Sequence, residues 1–105
     1  MKMEIYIFQK NKRCPYLHYG FLTTEIERYA NENLDWGTKS EHQIDITFLY
    51  KWLSDTQQKK ESYLSGCDKT QGLIYQISMD TLQDIIDIVE PMSGENWFEV
   101  YLTRY

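Results

Sequence analysis

Between residues 73 and 103 the apolar side chains of this sequence change period twice, and that change limits the folds open to the chain. Leu73, Tyr75 and Ile77 alternate, which predicts a strand. Leu82, Ile85, Ile86 and Val89 then recur at i, i+3, i+4 and i+7. Asp80-Thr81-Leu82-Gln83 offers a cap and Pro91 a stop, so a helix is predicted over residues 80–90. Ser93-Gly94-Glu95-Asn96 supplies a turn into a second strand, with Phe98, Val100 and Leu102 on one side and Trp97, Glu99, Tyr101 and Thr103 on the other. Strand, helix and strand over about thirty residues predict a right-handed crossover between parallel strands.

The earlier part of the chain completes the reading. Met3 to Phe8 has apolar residues at both parities, as in a strand buried on both faces. Charge and Pro15 break it and begin a loop running to about Gly20. Thr24-Glu25-Ile26-Glu27 fits a capping box, Ile26, Tyr29, Ala30 and Leu34 form an apolar stripe, and Gly37 punctuates the end. Residues 44–53 match both periods; the reading adopted is a helix from about Thr47 to Leu64, preceded by an extended approach. Gly66 can adopt the left-handed conformation just past its end. The predicted fold class is α+β: a small single-layer sheet of three to four strands with helices packed on it, in the order β-α-α-β-α-β, closed by the C-terminal β-α-β crossover.

A chain of 105 residues, 42% hydrophobic and 15% aromatic, has material for one core, and residues 1–105 are read as a single globular domain. Ile5 to Phe8 is too short an apolar run for a signal peptide or a membrane span. Two cysteines are too few for a disulfide scaffold, which places the expected location in the cytoplasm of a cell or an infected host. The net charge of −5 is regional. Residues 1–13 set four cations against Glu4, whereas residues 80–99 hold six acids and no Lys or Arg. That sign repels phosphate, so the expected partner is a protein with a basic surface rather than nucleic acid or membrane.

No reactive constellation assembles from spacing. Cys14, His18, His42 and Cys67 are donors for zinc, but only Cys14 and His18 are close in sequence, and structural sites use close pairs. Cys14 follows Lys10, Lys12 and Arg13, whose field favours a thiolate with His18 as base, yet no orienting third group accompanies them. Ser65 to Gly72 has glycines without the order of a phosphate-binding loop. No cofactor, metal or enzymatic activity is therefore expected. The unusual feature is acidic. Asp80 and Asp84 suit the start of the predicted helix, but Asp87 and Glu90 fall toward its negative end, and no lysine follows at i+4. Nine tyrosines and three tryptophans exceed what a small core readily hides, with Trp36, Trp52 and Tyr101 the candidates to reach the surface. The expected partner-binding set is Asp80, Asp84, Asp87, Glu90 and Glu95, with Trp97 and Tyr101 as aromatic anchors.

Asn31-Glu32-Asn33-Leu34-Asp35-Trp36 resembles a short stretch of the barstar-like ribonuclease inhibitors, and the element order is similar to theirs. The likeness covers six residues and falls at the end of a predicted helix where that family's lies at the start of one, so no site residues are carried over. The expected function is a non-enzymatic inhibitor, of immunity or anti-defence type, that occludes a basic surface of a nuclease, toxin or nucleoprotein complex. Two alternatives differ in class. A small-molecule binder or small enzyme would bring Cys14, Tyr16 and His18 together in a cleft near the strand ends, and an assembly subunit would expose a large apolar patch.

Overall fold

A computed structural model describes residues 2–9, 12–20, 22–64, 69–91 and 98–104. Along the chain run β1 (Met3–Gln9), β2 (Pro15–Tyr19), α1 (Thr24–Asn33), β3 (Glu41–Ile44), α2 (Ile46–Leu64), α3 (Lys69–Val89) and β4 (Phe98–Arg104). The strands form one antiparallel sheet in the order β2-β1-β4-β3. The α+β class, the single-layer sheet and the helices packed on it agree with the sequence.

One face of the sheet makes the core. Met3, Ile5 and Ile7 of β1 and Val100 and Leu102 of β4 are buried, and they join a cluster with Leu82, Ile85, Ile86 and Val89 of α3. Alternation gives the strands one apolar face, and the i, i+3, i+4, i+7 spacing gives the helix a matching stripe. β1 is therefore not buried on both faces as its composition predicts. Tyr6 and Phe8 point away from the helices and are only half-buried, because nothing but neighbouring strand side chains lies against them among the contacts described.

Two expected elements are corrected. The predicted loop before Gly20 contains β2, whose pairing with β1 carries a bulge at Tyr16, so the register steps between Ile7↔Leu17 and Phe8↔Pro15. The predicted strand Leu73–Ile77 lies inside α3. Its alternation is a coincidence of two helical faces. Tyr75 and Ser78 continue the buried stripe of Leu82, Ile85, Ile86 and Val89 backward by helical spacing, while Leu73 and Ile77 stay outside, 61% and 47% exposed.

That correction removes the parallel crossover. α2 and α3 run antiparallel, since Tyr50 bonds Glu90 at one end and Lys60 bonds Gln76 toward the other. One helix between two strands returns the chain to its starting end, but two reverse it, so β4 enters antiparallel to β3. The extended approach before Thr47 is β3, and α2 starts one residue earlier than expected.

Smaller details follow local chemistry. Thr23, not Thr24, caps α1, its Oγ1 accepting from the Ile26 amide at 3.3 Å. The same hydroxyl meets Ser78 Oγ at 2.5 Å and ties the α1 cap to α3. α1 ends at Asn33, and Gly37 takes the left-handed φ of 53° in the following turn. Trp36 and Trp52, expected at the surface, are buried at 4% and 0% exposure. Each found a partner that offsets burial: the Trp36 indole N–H donates to the Ala30 carbonyl at 3.1 Å, and Trp52 stacks on Tyr29 at 5.4 Å. Residues 65–68, including Gly66 and Cys67, and the predicted turn at 93–96 lie outside the described residues.

The two faces of α3 make the assignment testable. Leu82→Ala is expected to lower unfolding free energy by about 2–5 kcal/mol in urea titration, the usual cost of a buried leucine. Leu73→Ala should stay within about 0.5 kcal/mol of wild type, as for exposed positions. A large loss at Leu73 would return this segment to a buried strand.

Candidate functional site

Burial of the Leu82, Ile85, Ile86 and Val89 stripe fixes how α3 is rotated, and so what it presents outward. Leu73, Ile77, Asp80, Asp84 and Asp87 recur at i, i+4, i+7, i+11 and i+14, which places them in one line along the helix. All five are exposed. The line has an apolar N-terminal end and an acidic C-terminal end.

The longer helix sharpens the electrostatic argument. Asp80 does not cap a helix start, because α3 begins at Lys69; Asp80 and Asp84 lie in the helix interior without the favourable field of an N-terminus, and Asp87 lies in the last turn, where the backbone field disfavours anions. There is no basic residue in the last turn. Among the described residues no ion pair involves Asp80, Asp84, Asp87 or Glu90; the four ion pairs fall on Glu4, Glu25 and Glu32. Among the described residues their hydrogen bonds come from neutral donors: Gln76 Nε2, whose Oε1 accepts from Lys60, donates to Asp80 Oδ1 at 2.7 Å, and Gln83 Nε2 donates to Asp87 Oδ1 at 2.9 Å. Burial first, and then the Asp84 charge, push the Tyr19 hydroxyl above its ordinary pKa, so the field of this line reaches the β2 edge.

The remaining expected site residues separate from it. Glu90 follows the helix end, where its Oε2 accepts from the Tyr50 hydroxyl at 2.7 Å; that bond holds Tyr50 above its ordinary pKa. Tyr101 lies on the far side of the sheet from α3, because its β4 neighbours Val100 and Leu102 face the core, and its hydroxyl donates to Glu99 Oε2 at 2.8 Å. Glu95 and Trp97 lie outside the described residues. Leu73 and Ile77 are exposed members of this line that strand-like alternation conceals in the sequence; their i, i+4 spacing in line with Asp80 and Asp84 is the signal that reveals them.

The constellation considered for chemistry does not converge. Cys14 is exposed and free, Tyr16 packs its ring on Phe98 at 5.0 Å, and His18 stacks on Tyr6 at 4.4 Å with Nε2 3.4 Å from Glu4 Oε1. Among the described residues no group of three His, Cys, Asp or Glu side chains could hold a metal ion, and no helix is long and apolar enough to cross a membrane. Comparison with protein-family models, curated proteins and solved structures finds no match, so the likeness to barstar-like inhibitors stays confined to residues 31–36.

The carboxylates of α3 carry a stability consequence. Replacing Asp84 and Asp87 together by lysine is expected to raise the melting temperature by a few degrees, because it removes like-charge neighbours and, at position 87 in the last turn, complements the helix dipole by about 0.3–1 kcal/mol. A fall in melting temperature, read by circular dichroism, would mean that these acids stabilise the fold.

Proposed function

We propose that this chain is a non-enzymatic inhibitor, of immunity or anti-defence type, which docks the outer face of α3 onto a basic surface of a nuclease, toxin or nucleoprotein complex. One observation carries the reading: Asp80, Asp84 and Asp87 stand exposed in one line, without a cationic partner among the described residues, and Asp87 lies in the last helical turn, where the backbone field disfavours it. A line of carboxylates steers a cationic target to the surface, and exposed Leu73 and Ile77 at its end provide apolar area that excludes water once contact is made. Charge then sets approach and orientation, and the apolar end slows release.

Self-association through the same face is opposed by its charge. Two copies meeting across α3 would bring both sets of three aspartates together, whereas a basic protein would neutralise them. The partner would be blocked by occlusion, with no bond made or broken.

The test starts from a partner recovered from the source cell with the wild-type chain and then purified. D84K/D87K is expected to weaken its direct affinity at least tenfold, equivalent to about 1.4 kcal/mol, and L73D to weaken it independently. Purified wild-type chain should suppress the partner's own activity at stoichiometric ratio. Unchanged affinity in D84K/D87K would remove the basis of the reading, and a concentration-dependent mass abolished by L73D would replace it with an assembly role.

A further inference from the structure

The sheet has a second surface that the α3 reading does not use. Because Met3, Ile5, Ile7, Val100 and Leu102 turn to the helices, the alternate residues of β1 and β4 turn the other way. Their rings tile that face: Tyr6 lies 6.3 Å from Phe8, and the Tyr101 ring meets Phe8 edge-on at 5.6 Å. In register, Tyr6 stands opposite Tyr101, Phe8 opposite Glu99, and Thr103 opposite Glu41. Phe8, Tyr101, Glu41 and Glu99 line a shallow depression of about 240 Å³, with Gln9 and Lys12 completing its rim.

Aromatic rings on an open antiparallel sheet can stack bases or hold cations, and the surrounding charge decides between the two. Here the depression has two carboxylates against the single amine of Lys12, and neither Glu41 nor Glu99 has an ion-pair partner among the described residues. A phosphate chain would be repelled. Glu99 already accepts from the Tyr101 hydroxyl through Oε2, and that bond raises the Tyr101 pKa, so the phenol stays neutral with its ring beside the carboxylate. A ligand with several donors in a planar fork suits this set better than a compact ammonium: it can face a ring and reach both carboxylates.

We infer that the open face of the sheet, at the depression between Phe8, Tyr101, Glu41 and Glu99, binds the guanidinium of an arginine presented by a partner polypeptide. This surface lies across the sheet from α3 and is independent of the docking proposed there. Cation–π contact with Phe8 and Tyr101 and charge-assisted hydrogen bonds to Glu41 and Glu99 supply the selectivity.

The probe is an acetylated Gly-Arg-Gly-Arg-Gly peptide titrated into the full chain, followed by amide and aromatic resonances. Saturable shifts at residues 6–8 and 99–103 are expected. The citrulline counterpart, which keeps the shape and loses the charge, should bind at least tenfold more weakly, and E41Q/E99Q should weaken the arginine peptide by a similar factor while D84K/D87K leaves it unchanged. Phe8→Leu, which keeps an apolar side chain and removes the ring, guards against a folding defect in the double variant and should also weaken binding. Equal affinity for the citrulline peptide, shifts confined to α3, or tighter binding of oligouridine at the same face would each overturn the assignment.

Discussion

The structure depends on burying one face of a four-stranded sheet under one stripe of α3. Met3, Ile5, Ile7, Val100 and Leu102 supply one side, and Leu82, Ile85, Ile86 and Val89 the other. Each buried aliphatic side chain contributes about 1.5–3 kcal/mol relative to exposure, so the contact dominates any single polar interaction in the molecule. It also dictates what is left over. Rotating α3 by one residue would expose part of that stripe, so the outward positions of Leu73, Ile77, Asp80, Asp84 and Asp87 are fixed by the core and not by their own preferences. The same burial leaves the alternate face of β1 and β4 to Tyr6, Phe8, Glu99 and Tyr101.

Polar ties then lock the helices in place. Thr23 and Ser78 join the α1 cap to α3, Tyr29 donates to Asp55 Oδ2 at 2.6 Å between α1 and α2, and Gln71 reaches Glu25 at 3.3 Å. Burial and the Asp55 bond together push the Tyr29 hydroxyl well above its ordinary pKa, which keeps it protonated as a donor. Ser78 and Thr56, both buried, return their hydroxyls to carbonyls one turn earlier in their own helices and so need no water. The acidic line, by contrast, has no ion-pair partner among the described residues.

Much of this was legible in the sequence, and each failure has its own physical cause. The stripe Leu82, Ile85, Ile86, Val89 and the alternation of Phe98, Val100 and Leu102 identified the two halves of the core, because long periodic patterns report burial directly. Leu73, Tyr75 and Ile77 misled because three residues satisfy period two as well as they satisfy two faces of a helix, and Gly72 suggested a loop. Once α3 is extended back to Lys69, the parallel crossover has to vanish and Asp80 ceases to be a cap. Trp36 and Trp52 were misplaced because composition says how many aromatics there are, not which ones find a carbonyl or a stacking ring. Of the expected partner-binding set, Asp80, Asp84 and Asp87 form one line, whereas Tyr101 belongs to the opposite face, as the alternation along β4 requires once Val100 and Leu102 turn to the core.

The central claim is that α3 keeps an exposed line of carboxylates, without an ion-pair partner among the described residues, for a cationic protein. Hydrogen–deuterium exchange on the complex with a purified partner locates the footprint without any substitution. The account expects new protection concentrated at residues 73–87 of α3, fading as salt is raised. Protection that spares α3 and falls elsewhere in the chain would contradict it.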